Sequence, residues 1–208
     1  MHPRHSNLRG AAALAAAALL AGCAMLQPPA AETAHIYLLS ALPKVNPHRR
    51  VDGKLVLAVS APRAQPGFDT DQMVYVRRPH EIEHFAHSRW ADTPARMLAP
   101  LLAQALLQGG GFRAVVQAPG PVAADLQLDT ELVRLQQDFS TRPSRIELTL
   151  RAQLLDLRHG RDLAAREFDV VEPAPSDNPY GGVLAANRAL GRVLGQLAAF
   201  CADAAGSR

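Results

Sequence analysis

The sequence predicts an α+β fold, a two-layer sandwich in which two helices pack on one face of a mainly antiparallel sheet. Apolar and polar residues alternate along 126–133 and again along 146–154, which is typical of strands that cover a core with one face only. Two other segments, 97–106 and 183–201, place apolar residues at helical spacing. A single domain is predicted over residues 35–205.

The other predicted strands are short apolar runs bounded by turn residues, and they are residues 36–39, 54–61, 73–78, 81–90, 112–117 and 163–171. The run 54–61 is apolar on both faces, which indicates a central strand. Residues 73–78 and 81–90 flank Pro79-His80 and are predicted to form a hairpin, whereas 62–67 is predicted to be a loop.

Both predicted helices begin with a capping residue that is followed by proline, at Thr93-Pro94 and at Asn178-Pro179. The first helix should end at the glycine run 109–111. Pro100 lies inside it and should kink the helix or delay its start. Asn187 falls in the apolar stripe of the second helix, where it needs a hydrogen-bond partner. We expect Asn187 to fix that helix against the sheet.

Residues 1–22 are predicted to be a signal peptide. The first ten residues carry Arg4 and Arg9 without an acid, and Ala11 to Ala21 is an uninterrupted run of alanine and leucine. This run of 11 residues is shorter than the roughly 20 that a membrane-spanning helix needs. Cleavage would lower the formal charge from +3 to +1, because two arginines and no acid are removed. Nothing indicates the clustered basic residues of a nucleic-acid-binding protein.

The next feature, Leu20-Ala21-Gly22-Cys23, resembles a bacterial lipobox. The resemblance implies cleavage before Cys23, diacylglycerol on its sulfur and acylation, for example by palmitate, of the new amino terminus. Residues 23–34 would then be a lipidated terminus and a tether, whose ten residues 24–33 reach at most about 33–36 Å. Alanine follows Cys23, which by the lipoprotein sorting rule favours the periplasmic face of the outer membrane. A soluble secreted protein with an incidental cysteine is the alternative.

One group of residues has metal-ligand character, namely His80, His84 and His87 with Glu81 and Glu83. On a strand, His80 and His84 would share one face while His87 points to the other. Solvated histidines on an edge strand are therefore a better interpretation than a zinc site. No motif for nucleophilic catalysis, phosphate binding or zinc hydrolysis appears. We expect no enzyme activity, cofactor or metal.

Five aspartates lie near predicted loops or strand ends, and they are Asp69, Asp71, Asp156, Asp162 and Asp177. Carboxylates at such positions usually act as caps and turn residues. A hydrolase site built from His84, Asp69 and Asp71 is a weaker alternative.

Two further side chains have a structural and an alternative interpretation. Because Cys23 would be lipidated, Cys201 would be a lone thiol, and its helical apolar setting predicts a buried, inert role rather than an intermolecular disulfide. Trp90, the single tryptophan, is predicted to pack in the core, with an interface anchor as the alternative.

Several patterns together resemble the ABC-type transport auxiliary lipoprotein family over residues 36–201. These are Tyr37-Leu38-Leu39, Met73-Val74-Tyr75, Arg89-Trp90-Ala91-Asp92, the leucine-rich helix 97–107, Gly111-Phe112 and the segments 126–139, 148–156 and 187–200. They are diffuse strand and helix patterns, not a catalytic signature. Pro100 departs from the family pattern and puts the course of the first helix in doubt.

The resemblance implies a non-enzymatic docking component at the outer membrane. Its partners would be an ABC permease, its ATPase and a substrate-binding protein with an MCE domain, which move lipids or other hydrophobic molecules between the two membranes. The only functional residue that the resemblance assigns to this sequence is the lipidated cysteine, at Cys23. Homo-oligomer formation is left open. An envelope assembly or regulatory lipoprotein, such as an activator of a cell-wall enzyme, is the alternative function, because a fold of this class serves many roles.

Overall fold

A computed structural model describes residues 33–43 and 53–207 of the chain. The strands are β1 (His35–Tyr37), β2 (Val56–Val59), β3 (Arg63–Ala64), β4 (Gln72–Val76), β5 (Glu83–Trp90), β6 (Ala114–Gln117), β7 (Leu126–Asp138), β8 (Arg145–Asp156) and β9 (Arg161–Pro173). The helices are α1 (Pro94–Gly109) and α2 (Pro179–Gly206). The predicted signal peptide, Cys23 and most of the predicted tether lie outside the described residues.

The nine strands of this part of the chain form one mixed sheet with β7 at its centre. One edge of β7 pairs in parallel with β2, β3 and β4, while its other edge begins the antiparallel meander β7–β8–β9. β1 joins β5 and β6 joins β2, both in parallel, and β4 and β5 form the predicted hairpin. Five of the eight pairings are therefore parallel. The α+β class is confirmed, but a mainly antiparallel sheet in two layers is not.

The long meander supplies much of the hydrophobic core. Leu132 of β7 lies opposite Leu150 of β8, which in turn lies opposite Phe168 of β9. All three side chains are buried, and each such burial stabilises the fold by about 1.5–3 kcal/mol. α2 packs against β8, β9 and α1, whereas α1 also contacts β3, β6 and β7. The alternation in the sequence therefore predicted the buried face correctly.

The opposite face of the meander carries charged side chains in register. Arg151 of β8 donates from Nη1 to Glu131 of β7 at 2.7 Å and from Nη2 to Glu167 of β9 at 2.9 Å. Exposed pairs of this kind contribute about 0–1 kcal/mol each. They keep this face hydrated and favour the observed register of the three strands.

The helix ends follow the predicted signals, except that Thr93 makes no side-chain capping hydrogen bond at the start of α1. Asn178 caps α2 by accepting a hydrogen bond from the Gly181 amide at 2.8 Å, and Gly110, at φ 71°, follows the last residue of α1. α1 begins directly at Pro94 and continues through Pro100, so the expected delay of its start is wrong. Pro100 removes an amide that would bond the carbonyl four residues earlier, but both positions are solvent-exposed and water can satisfy that carbonyl.

The prediction for residues 62–67 also needs a correction. The predicted loop contains the two-residue strand β3, which pairs with β7 at Glu131 and Leu132. Pairing with the long strand β7 gives these two residues their strand conformation. A segment of two residues has no periodicity from which a strand could be predicted. In the described part of the chain, no helix has the length and apolar character needed to cross a bilayer.

Candidate docking site

The residues that follow β1 lie along α2, and we call residues 38–43 the N-terminal segment. Asn187 of α2 holds this segment. Its Oδ1 accepts hydrogen bonds from the amides of Ser40 at 2.8 Å and Ala41 at 3.0 Å, and its Nδ2 donates to the carbonyl of Leu38 at 3.1 Å. Asn187 is therefore satisfied, but it fixes the helix to the N-terminal segment rather than to the sheet as expected.

Two glycines continue the same stripe of α2, because Asn187, Gly191 and Gly195 are spaced four residues apart. A Cβ at Gly191 would lie 3.5 Å from the carbonyl oxygen of Leu42, and one at Gly195 would lie 3.4 Å from Cβ of Pro43. These are ordinary van der Waals distances, so a methyl group would fit at either position, and they show that the N-terminal segment lies along this stripe of α2. The Asn-x3-Gly-x3-Gly spacing was visible in the sequence, but nothing local indicated what it contacts.

An open groove of about 720 Å³ lies beside this stripe, between the N-terminal segment and the end of β9. Its apolar lining is Ala41, Leu42, Leu184 and Gly191, and its polar lining is Asn187, Glu172, Arg188 and Arg192. The volume falls in the range of about 300–1,000 Å³ that is typical of ligand pockets. We call this feature the α2 groove.

The polar end of the α2 groove contains two arginines that share one carboxylate. Arg188 donates from Nε to Glu172 at 2.8 Å, and Arg192 forms an ion pair with the other oxygen of Glu172. The Glu172 side chain is 12% exposed, whereas those of Arg188 and Arg192 are 47% and 55% exposed. This cluster of three charges therefore carries one net positive charge, located on the solvent side.

The same guanidinium groups cover the end of strand β9. Arg188 donates from Nη2 to the carbonyl of Pro173 at 2.8 Å, and Arg192 makes a long contact of 3.5 Å to the carbonyl of Val171. Within the described residues β9 pairs only with β8, so these carbonyls belong to an edge strand. The arginines occupy acceptors that another strand would need in order to pair there.

Exposed apolar side chains flank the α2 groove. Tyr180 is 56% exposed, and Leu184, one turn later on α2, is 38% exposed. Leu38 is 59% exposed, and its carbonyl is held by Asn187. Large exposed apolar side chains grouped around a groove are typical of binding surfaces. This is the candidate docking surface.

The structure does not bring the predicted metal-like cluster together. His80 lies in the hairpin turn at φ 67°, while His84 and His87 are exposed on a part of β5 beyond its pairing with β1. Glu83 instead accepts a hydrogen bond from Arg77 at 2.7 Å, which lowers the pKa of the Glu83 carboxyl. No group of three or more potential ligands is placed to hold a metal in the part of the chain that the structure describes.

The predicted turn role is confirmed for Asp156, whereas Asp177 makes a tertiary contact with a residue 33 positions away. Asp156 is fully buried and accepts from the amide of His159 at 3.2 Å, while Asp177 accepts from the amide of Ser144 at 2.6 Å. The proposed hydrolase set is not assembled. His84 lies opposite Val74 in the β4–β5 pairing, and the carboxylate of Asp71 instead pairs with Arg89 at 3.5 Å.

Asp125, which the sequence analysis did not single out, fixes the start of β2. Its Oδ2 accepts from the amide of Val56 at 2.7 Å, and its Oδ1 accepts from Nε of Arg158 at 2.6 Å. The Val56 amide, followed by Arg158, holds the pKa of the Asp125 carboxyl below its ordinary value against the opposing effect of burial. Asp125 is a structural anchor that joins β2 to the β8–β9 turn.

Cys201 and Trp90 are both core residues. Cys201 is fully buried in α2, and burial raises the pKa of its thiol to about 12. Trp90 is 4% exposed and belongs to the hydrophobic core. The predicted burial of Cys201 and the predicted core packing of Trp90 are confirmed.

Comparisons with known proteins place these features in a family. A family model described as the ABC-type transport auxiliary lipoprotein component matches residues 37–198. A search of curated proteins finds no match.

Among solved structures, a Xanthomonas campestris protein is similar at TM-score 0.76 and 23% identity, over 84% of this chain and 98% of its own. A hypothetical protein from Chlamydia trachomatis is similar at TM-score 0.51 and 11% identity, over 74% of this chain and 100% of its own. At these identities the structures support the fold alone. The family match covers most of the chain, and the chain therefore belongs to the ABC-type transport auxiliary lipoprotein component family.

Proposed function

We propose that this protein is the docking component of an ABC transport system whose substrate-binding partner carries an MCE domain. Such a system would move lipids or other hydrophobic molecules between the inner and outer membranes. Family membership supports the association with an ABC system. The observation that carries the docking role is the exposed apolar surface around the α2 groove, because a contact surface needs uncovered apolar side chains.

The anchor is the second part of the proposal. Cleavage before Cys23 and lipidation of that residue, palmitate included, would hold the protein at the periplasmic face of the outer membrane. Stable anchoring takes at least two lipid chains, and a triacylated cysteine exceeds that requirement. Residues 24–33 would allow the folded domain to stand at most about 33–36 Å from the bilayer.

Labelling of cells with radioactive palmitate tests the anchor. The wild-type protein should be labelled and should fractionate with outer membranes, while Cys23→Ala should lose the label and leave the membrane fraction. Cys201→Ala is the matched control, since this buried thiol should not affect labelling. A Cys23→Ala protein that stays labelled would contradict the lipid attachment.

Co-purification from detergent-solubilised membranes tests the docking role. We expect the wild-type protein to capture an MCE-domain protein together with the permease and ATPase. Leu184→Asp should lose this capture, because it places a charge in the centre of the apolar surface. Leu107→Asp is the matched control, since Leu107 is an exposed leucine (57%) on α1. Equal capture by both variants would place the contact elsewhere.

The identity of the captured partner also tests the function itself. Recovery of a cell-wall synthase in place of the ABC components would favour an envelope regulatory lipoprotein. Deletion of the gene should increase sensitivity to detergent if lipids are the cargo. Normal detergent resistance together with normal envelope lipid asymmetry would count against the transport role.

A further inference from the structure

We propose that the α2 groove binds one acyl chain of an anionic membrane lipid, with the lipid headgroup at Arg192 and Arg188. This inference deepens the proposed function and rests on it, because it names the class of ligand that the docking surface would receive. The juxtaposition that supports it is an apolar groove that ends at a net positive charge.

The lining of the α2 groove suits a hydrocarbon chain. Its apolar lining comes from Leu184 and Gly191 of α2 and from Ala41 and Leu42 of the N-terminal segment. The polar atoms of Asn187 that face this region are already bonded to the segment, so they do not require a polar ligand. Because the groove is open to solvent, a chain can enter it without a conformational change.

The charge at the end of the α2 groove suits an anionic headgroup. Glu172 neutralises only one of the two arginines with which it pairs. Arg192 is more than half exposed, so its guanidinium can reach a headgroup that remains partly hydrated. Guanidinium groups bind phosphate and carboxylate oxygens through short, charge-assisted hydrogen bonds. An amphiphile with one chain and one negative charge would match both ends of the groove.

A peptide occupant is less well supported, because the groove offers little free backbone. Peptides that add to a sheet edge depend on main-chain hydrogen bonds. The β9 carbonyls of Val171 and Pro173 are contacted by the arginines, and the amides of Ser40 and Ala41 are bonded to Asn187. What the groove offers is apolar side-chain surface and positive charge, and these properties favour a lipid.

The first experiment measures binding to the full chain carrying Cys23→Ala, which keeps the whole folded unit but has no lipid acceptor. The probe is palmitoyl lysophosphatidylglycerol below its micellar concentration, and calorimetry reports the affinity. We expect one lipid per chain. Palmitoyl lysophosphatidylcholine, which has the same chain without net charge, should bind about tenfold more weakly.

Charge variants test the headgroup position. Arg192→Gln leaves the Arg188–Glu172 pair neutral, so it should weaken binding of the anionic probe about tenfold and leave the zwitterionic probe unchanged. Arg96→Gln is the matched control, since Arg96 is also a helical arginine with an acidic partner, Asp92, at 3.6 Å. Equal loss in both variants, or none in either, would overturn the headgroup assignment.

Chain length tests the acyl site. A myristoyl probe has two fewer methylenes, so its affinity should fall by about four- to fifteen-fold, depending on how fully they are buried. Leu184→Asp should reduce binding, while Leu107→Asp should not. No binding below the micellar concentration would refute the proposal, as would binding that ignores chain length. If capture of the MCE protein persists in that case, only the lipid site fails and the proposed function stands.

Discussion

Replacement of Asn187 by alanine should detach the N-terminal segment from α2. The substitution removes three tertiary hydrogen bonds, two accepted from the amides of Ser40 and Ala41 and one donated to the carbonyl of Leu38. Each such bond has a net value of about 1 kcal/mol, and alanine recovers roughly 0.6 kcal/mol of helix propensity. The free energy of unfolding should therefore fall by about 2 kcal/mol.

Urea denaturation measures this change. With a slope of about 1–3 kcal/mol per molar urea, the midpoint should move by about 1 M while the slope stays the same. Gln196→Ala on the exposed side of α2 is the control, since surface substitutions usually change stability by less than about 0.5 kcal/mol. Hydrogen exchange provides a local measurement, because the Ser40 and Ala41 amides should lose protection in the Asn187→Ala protein.

Asn187→Asp tests the acceptor oxygen and the donor nitrogen of the Asn187 amide separately. A carboxylate keeps both acceptor interactions but turns an oxygen towards the carbonyls of Leu38 and Val183, to which Nδ2 donates. Asn187→Asp should therefore destabilise the protein more than Gln196→Ala does. If Asn187→Ala shifts the midpoint no more than Gln196→Ala and the Ser40 amide stays protected, Asn187 does not hold the N-terminal segment and the reasoning is wrong.

Three other predictions concern the folded unit. Cys201 should resist thiol reagents at pH 8 until urea unfolds the protein, because its thiol is buried and has a pKa of about 12. Asp125, whose folded pKa is lowered, should contribute stability that is complete above its ordinary value of 3.8 and is lost as the pH falls below it; Asp125→Asn should flatten this acid dependence of the urea midpoint. Gly182→Ala should lower the melting temperature, because its Cβ would lie 2.2 Å from Oε1 of the buried Gln137, whereas Gly206→Ala, with nothing within 4 Å, should leave it unchanged or raise it slightly.

The long elements were predictable because their signals are local. Alternation over residues 126–133 and 146–154 identifies the buried face of the meander without reference to the rest of the chain. The cap at Asn178 and the glycine run at 109–111 likewise mark helix ends through bonds within a few residues. These features depend on backbone geometry and hydrophobic burial, which a short window of sequence contains.

The short strands could not be placed in the same way. β2 and β6 each have four residues and β3 has two, and neither length nor periodicity reveals whether such a strand runs parallel to its neighbour. The length of β7, 13 residues, lets it pair along one edge with β2, β3 and β4, while β6 joins the sheet through β2. The expectation of a mainly antiparallel sheet is not confirmed, because it extended the pattern of the long strands to the short ones.

The candidate site is formed by residues that are even farther apart in the sequence. Ser40 and its partner Asn187 are 147 residues apart, and neither position has a sequence signal for the other. Glu172, Arg188 and Arg192 are common charged residues whose separate positions predict solvated surface. Only the packing of α2 against β9 brings the three together, whereas the histidines and aspartates stand out in the sequence by residue type alone.

α2 links these features, because its successive faces make different contacts. Its inner face is buried in the core, the stripe from Asn187 to Gly195 holds the N-terminal segment, and Leu184, Arg188 and Arg192 border the α2 groove. The N-terminal segment is both a wall of the groove and the continuation of β1, to which the predicted tether leads. Asn187→Ala should therefore weaken lipid binding as well as stability, whereas Arg192→Gln should affect lipid binding with little effect on stability. The two variants therefore distinguish a residue that supports the groove, Asn187, from a residue that recognises the ligand, Arg192. Both residues lie on α2.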